Sequence, residues 1–214
     1  VFSEGIPAVE TTGEARMRKL TGGENDSRSR ELARYMKWTA AGYVGNLRVV
    51  LNYRRDRFLR GGDHEPFQDL GFAAVRMTDY YENFYHQHQD IRTENGIVYG
   101  DEEKYMDFPY LKKTASLNLA VIASLATAPS GPVDARIDVS GLSNSTRISW
   151  QKPAHGKAVG YYVLMRETDQ PMWEKKFYTD SLEMTLPYSR DNYLFGVQAV
   201  GENGHASVAV FPGI

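Results

Sequence analysis

The sequence contains no cysteine among its 214 residues, so disulfide bonds, thiol catalysis and cysteine-ligated zinc are all excluded. It also lacks an apolar run long enough to span a bilayer, because the longest, at residues 117–128, has only the length of a buried helix. Neither sign of charge predominates. The formal net charge is −2, and the cluster of arginines at residues 54–60 is interrupted by Asp56. We therefore expect no membrane span and no nucleic-acid partner.

The first ten residues, VFSEGIPAVE, lack the basic and apolar segments of a signal peptide. They also lack the pattern of a domain start. We therefore expect the chain to be a fragment of a larger protein.

Two helices are predicted in the first 128 residues. Ser27 or Ser29 can cap an amphipathic helix that ends near residues 42–45, and Asp107 can cap a long helix over residues 108–127. The apolar face predicted for the long helix consists of Leu111, Ala115, Leu119, Ile122 and Leu125.

Strand-like segments lie between these helices. Residues 47–53 and 72–77 are apolar and rich in β-branched or small side chains, which predicts two buried strands, and Pro66 can open a short helix between them. The order helix, strand, helix, strand, helix is typical of an α/β fold with a mostly parallel sheet. We predict an α/β domain over residues 1–128.

The sequence period changes to two after a proline- and glycine-containing linker at residues 129–132. Seven short strand-like segments with turn residues between them predict a β-sandwich domain over residues 133–214. A proline before the first strand, Trp150 in the second, Tyr161-Tyr162 in the third and residues 193–200 in a later strand resemble a fibronectin type III domain. Trp150 and Tyr193 are interpreted as core and corner residues.

Candidate chemistry is concentrated in two polar loops, at residues 62–67 and 78–90. Both follow predicted strands, and ligand sites in open α/β sheets lie at the carboxyl ends of strands. Carboxylates and imidazoles at this density indicate either a metal or acid/base site, or a polar loop whose histidines bond locally. The residues alone leave both alternatives open.

The block Gly62-Asp63-His64-Glu65-Pro66-Phe67, followed by Gly71-Phe72-Ala73-Ala74-Val75 and a histidine-rich loop, resembles the di-zinc aminopeptidases. The match is to the C-terminal part of the catalytic domain. The resemblance implies a partial zinc-exopeptidase-like α/β sheet and a peptide substrate.

The same resemblance assigns roles to individual residues. His86 corresponds to a zinc ligand, with His88 as the competing candidate, and Asp90 to the acidic partner four residues after the ligand. Tyr85 corresponds to a tyrosine that donates a hydrogen bond to the tetrahedral intermediate. Asp63 corresponds to a supporting residue, whereas His64 is interpreted as structural.

The chain departs from the family pattern because the other zinc ligands, a His-x-Asp segment, a Glu-Glu pair and a further Asp, are not present before residue 30. Zinc is thus a cofactor of the family that we do not expect this chain to bind stably alone. The partners implied are a peptide substrate or the N-terminal half of the catalytic domain. Half a sheet would expose an edge, which predicts a homo-oligomer. Secreted or periplasmic location, with the fibronectin-like domain as an accessory module, is implied by the resemblance alone.

Two other functions are compatible with the residues. The fibronectin-like domain could supply a binding function while the α/β part serves as a scaffold. Alternatively, a metal-free hydrolase acting on an ester or glycoside could use a general acid and base drawn from the loop carboxylates. These carboxylates are Asp63, Asp79, Glu82 and Asp90.

Overall fold

The structure is a computed structural model that describes all residues, Val1–Ile214. Four α-helices lie in the first 127 residues, and three short 3-10 turns accompany them. The helices are α1 (Thr12–Thr21), α2 (Arg28–Tyr43), α3 (Glu65–Asp69) and α4 (Phe108–Thr127). No helix has both the length and the apolar composition needed to cross a membrane.

Two of the predicted helices are confirmed, with the caps that the sequence indicates. Ser27 accepts a hydrogen bond from the backbone of Arg30 at the start of α2, and Asp107 accepts one from Tyr110 at the start of α4. These side chains satisfy backbone N–H groups that have no partner inside the helix.

All the regular strands pair antiparallel. β1 (Arg92–Glu94) and β2 (Ile97–Tyr99) form a hairpin, and six further strands form two three-stranded sheets ordered β3-β4-β7 and β6-β5-β8. Their bounds are β3 (Val133–Ile137), β4 (Thr146–Gln151), β5 (Ala158–Glu167), β6 (Lys175–Thr179), β7 (Glu183–Leu186) and β8 (Tyr193–Gly201).

The two three-stranded sheets face each other across one apolar core. Ile148 and Trp150 from one sheet meet Val163 and Val197 from the other, and all four are almost completely buried. The ring of Tyr193 packs on Tyr188 at the margin of this core. The predicted sandwich architecture of residues 133–214 is therefore present, although residues 206–213 contribute only isolated bridges.

The prediction of a mostly parallel sheet in residues 1–128 is wrong, because the regular strands there are β1 and β2 and they pair antiparallel. Residues 47–53 and 72–77 form no regular strands, and each contributes one bridge to Phe2, parallel at Asn52 and antiparallel at Arg76. A ladder needs successive residues of both neighbours to stay in register. Hydrogen bonds of Val1 and Ser3 extend the contact with residues 50–54, but the first segment bends at Gly5 and no regular strand forms.

The predicted apolar face of α4 is wrong except at Leu125, which packs against the core shared with α2. Leu117 and Val121 pack against Tyr35 and Met36 of α2, whereas Leu119 is 69% exposed. Leu111 and Ile122 are exposed as well. Because α4 is apolar on more than one side, periodicity alone could not show which side meets α2.

Replacing Leu117 with alanine is expected to lower the free energy of unfolding by about 2–5 kcal/mol, because it opens a cavity between α2 and α4. The matched change Leu119→Ala, two residues away on the exposed side, is expected to stay within about 0.5 kcal/mol of the parent. Urea unfolding followed by tryptophan fluorescence measures both. Equal losses in the two variants would show that the helix is oriented differently.

Candidate active site

The segment that precedes the first polar loop is joined by ion pairs to Glu82 of the second loop. Glu82 accepts hydrogen bonds from Arg57 at 3.3 Å, from Arg60 at 2.8 Å and from Thr78 at 2.9 Å. The guanidinium of Arg60 also lies 5.0 Å from the ring centre of Phe84. These contacts fix the start of the loop that carries the candidate zinc ligand.

Glu82 is held in its charged form. Burial alone would raise its pKa, but hydrogen bonds from Arg60 and Thr78 and the charge of Arg57 outweigh burial and lower the pKa. A carboxylate held this way is a poor general acid near neutral pH. Burial raises the pKa of Tyr110, and the negative charge of the nearby Asp79 raises it further. Neither geometry favours the metal-free hydrolase.

A hairpin holds the other end of this loop. Asn95 and Gly96 both have positive φ, 51° and 81°, as a two-residue turn between β1 and β2 requires. The hairpin returns Gly100 to the loop, where its N–H donates to the carbonyl of Tyr85 at 3.0 Å. Asp101 adds a second bond, from its N–H to the carbonyl of Gln89, at 3.0 Å.

His86 is held in one orientation by two neighbours. Its ring stacks on Tyr105 with centroids 3.5 Å apart, and its Nδ1 lies 3.2 Å from the carbonyl oxygen of Gly100. A carbonyl can only accept, so Nδ1 carries the proton in this bond, and in the neutral ring Nε2 is then the nitrogen with the lone pair. This is the arrangement in which a histidine binds a metal through Nε2.

The remaining predicted residues are dispersed around His86. Tyr85 is 48% exposed and its ring meets Tyr99 edge-on at 5.4 Å. His88 has φ of 53° and is exposed, and its backbone N–H donates to Asp101. The side chains of Asp63 and Asp90 are exposed and form no hydrogen bond, so the partner of His86 Nδ1 is a backbone carbonyl and not the predicted carboxylate of Asp90.

One group of three metal-ligand side chains exists in the structure, and it does not contain His86. Asp56, His64 and Glu65 have ligand atoms within 4.8 Å of one another. The Nε2 of His64 donates to the carbonyl of Arg55 at 2.9 Å, which leaves its Nδ1 as the free acceptor.

The carboxylates of this group already pair with arginines. Arg57 and Arg76 lie 3.3 and 3.6 Å from Oδ1 of Asp56, and Arg55 lies 3.6 Å from Glu65. Two of these arginines also pair with carboxylates outside the group, so the group belongs to a wider network of offsetting charges. The cluster is better explained as an ion-paired anchor for the loop that contains Gly61 and Gly62.

A large cleft opens beside the loops. Its volume is about 740 Å³, and its wall combines apolar side chains such as Phe2, Val49 and Leu111 with charged and phenolic groups from residues 78–82 and 105–110. It lies next to Arg57 and Glu82, but neither His86 nor His64 lines it.

No family model matches the chain. It is 45% identical over 212 residues to a Leptosphaeria maculans protein named probable zinc metalloprotease, covering 99% of this chain and 49% of that protein. Proteins with the same name from Pyrenophora tritici-repentis and Pyricularia oryzae are 44% and 42% identical, and 44% of each is covered. The chain spans about half the length of the curated relatives it matches.

Solved structures similar to the chain include the fn3 domain of the human collagen alpha-1(XX) chain, at 23% identity and a TM-score of 0.34. That similarity covers 41% of this chain and 85% of the collagen domain. Domains d3-d4 of rat CD45 match at 14% identity and the same TM-score, covering 41% of this chain and 49% of that one.

Changing Glu82 to glutamine is expected to lower the free energy of unfolding at neutral pH by about 0.5–1.5 kcal/mol, because Arg57 and Arg60 lose their anionic partner. The folded-state pKa of Glu82 is lowered from 4.5, so its contribution is complete above about pH 4.5 and is lost as pH falls through the folded value. Urea unfolding of both proteins from pH 7 to pH 3 measures this difference.

The control is Glu94→Gln, whose exposed pairing with Arg92 should contribute little at any pH. A difference between parent and Glu82→Gln that grows on acidification would contradict the assignment.

Proposed function

We propose that the chain is the C-terminal part of the catalytic domain of a zinc metallopeptidase, an aminopeptidase, followed by a fibronectin type III module. The observation that carries the proposal is the state of His86. Its Nδ1–H is directed at the carbonyl of Gly100 and its Nε2 is free, on the loop where the motif resemblance expects a zinc ligand. The fungal relatives are named probable zinc metalloproteases, and these names support zinc and peptide hydrolysis but not the aminopeptidase class.

The residues of this chain supply only part of the zinc site. No second ligand lies beside His86 in a three-group cluster, and the one such cluster contains His64 and is surrounded by arginines. The other ligands are therefore proposed to come from the part of the relatives that this chain does not span. Zinc held there would lower the pKa of a bound water and polarise the scissile carbonyl.

Tyr85, Asp63 and Asp90 are proposed to act around that metal. The Tyr85 hydroxyl would donate a hydrogen bond to the oxyanion of the tetrahedral intermediate, because its backbone is tied to Gly100 beside His86. Asp63 and Asp90 are exposed and free of ion pairs, so both are available to groups outside the chain. The substrate proposed is the amino-terminal end of a peptide, and the protein is proposed to be secreted.

Two open surfaces favour association with further protein. The cleft beside residues 78–82 is partly apolar, and the exposed side of α4 includes the apolar side chains of Leu119 and Ile122. In the complete enzyme the other half of the catalytic domain would cover them. Alone, the chain is proposed to form a homo-oligomer, and sedimentation equilibrium at the monomer mass would contradict this.

A chimera tests the proposed function. The region of the Leptosphaeria maculans relative that matches this chain is replaced with the chain, and hydrolysis of aminoacyl p-nitroanilides and zinc content are measured. His86→Ala is expected to lower kcat/KM by at least about 100-fold and to reduce the zinc content. The matched control His88→Ala is expected to stay within about threefold, because the His88 side chain forms no hydrogen bond or ion pair in the structure and only its backbone N–H is bonded.

Loss of activity in His88→Ala with retention in His86→Ala would reverse the assignment of the ligand. Full turnover by the chimera after zinc removal with EDTA would contradict the metallopeptidase proposal altogether.

A further inference from the structure

The sandwich contacts α2 through a set of buried polar groups that the function described above does not use. Arg166 of β5 donates to Asp26 at 2.5 Å, and the Nε1–H of Trp173 donates to Glu31 at 2.9 Å. Arg34 of α2 donates in return to the carbonyl of Pro171 at 2.8 Å. Each of these charged side chains is at least 96% buried.

The surface on the sandwich side is shaped by the sandwich itself. Trp173 lies against Gly196 of β8, where an added Cβ would come within 2.8 Å of the indole ring, and its centroid is 5.6 Å from that of Phe211. Arg166 is oriented by a hydrogen bond to the carbonyl of Gln170 at 2.7 Å. Other residues of the sandwich therefore fix the positions of the two donors, Arg166 and Trp173, that bond to the start of α2.

The first turn of α2 also contacts the two chain segments on its other side. Ser27 donates to the carbonyl of Glu4, and Arg30 donates to the carbonyl of Ser3 at 3.1 Å. Ser29 accepts a hydrogen bond from the backbone N–H of Ala74 at 3.2 Å. Ala74 lies only a few residues before Thr78, where the loop that carries His86 begins.

Ion pairs and backbone contacts satisfy the charges of this network. Asp26 and Glu31 face Arg34 and Arg166, and Arg34 pairs with both acids. The buried Arg30 beside them donates to backbone carbonyls instead. Burial lowers the pKa of Arg34, yet the charges around it, that of Glu31 first, together outweigh burial and raise this pKa. Removing one member would leave a buried charge without its partner, which costs more than a surface pair would.

We propose that the surface formed by Arg166, Pro171 and Trp173 is an interface for the first turn of α2. Through that turn, the sandwich positions the segment at residues 72–77 and the loop that follows it. The sandwich is therefore a structural part of the catalytic half and not a detachable accessory module. The partner of this surface is the start of α2, which contributes the buried carboxylates of Asp26 and Glu31 and the guanidinium of Arg34.

Hydrogen exchange of the whole chain, followed by mass spectrometry with peptide resolution, tests this interface. Arg166→Met is expected to increase exchange at residues 28–34 and at the Ala74 amide by at least about tenfold, because the turn loses its anchor. The control Arg147→Met removes an exposed arginine that pairs with Glu183 on the other sheet, and exchange at both places should stay unchanged.

Trp173→Phe is a milder variant for the case that Arg166→Met fails to fold. It keeps a ring against Gly196 but removes the donor to Glu31, and it is expected to increase exchange at residues 28–34 by about tenfold. Faster exchange confined to the sandwich in Trp173→Phe, with residues 28–34 and Ala74 at parent rates, would overturn the proposal. So would equal effects of Arg166→Met and Arg147→Met.

Discussion

The buried network at the first turn of α2 is the constraint on which the rest of the structure depends. Burying carboxylates and guanidinium groups is costly unless each finds a partner, and here Asp26 and Glu31 pair with arginines from both halves of the chain. The network therefore specifies one arrangement of helix and sandwich. The segments bridged at Phe2 have only a short ladder of their own, so they also depend on this turn for their position.

The conformation of the candidate site depends on the position of residues 72–77 and on contacts within the loop itself. Ion pairs to Glu82 fix the beginning of the histidine loop, and the Asn95-Gly96 hairpin fixes its end by returning Gly100 to Tyr85 and His86. The result is a histidine whose Nε2 forms no hydrogen bond within the chain. A complete metal centre needs further ligands, and at the other polar cluster the carboxylates of Asp56 and Glu65 are already paired with arginines.

Local signals in the sequence predicted the features that depend on neighbouring residues. The caps at Ser27 and Asp107, the helix over residues 108–127 and the strand pattern after Pro132 are confirmed. The Asn95-Gly96 turn was predictable from its dipeptide, but the surrounding polar composition obscured it.

Features that join distant residues could not be predicted in this way. The side of α4 that packs on α2, the single bridges at Phe2 and the contact between Arg166 and Asp26, 140 residues apart, depend on tertiary structure. Differential scanning calorimetry tests the central claim, that helices and sandwich form one cooperative unit, most directly. We predict a single transition whose van't Hoff and calorimetric enthalpies agree, and two separate transitions would contradict it.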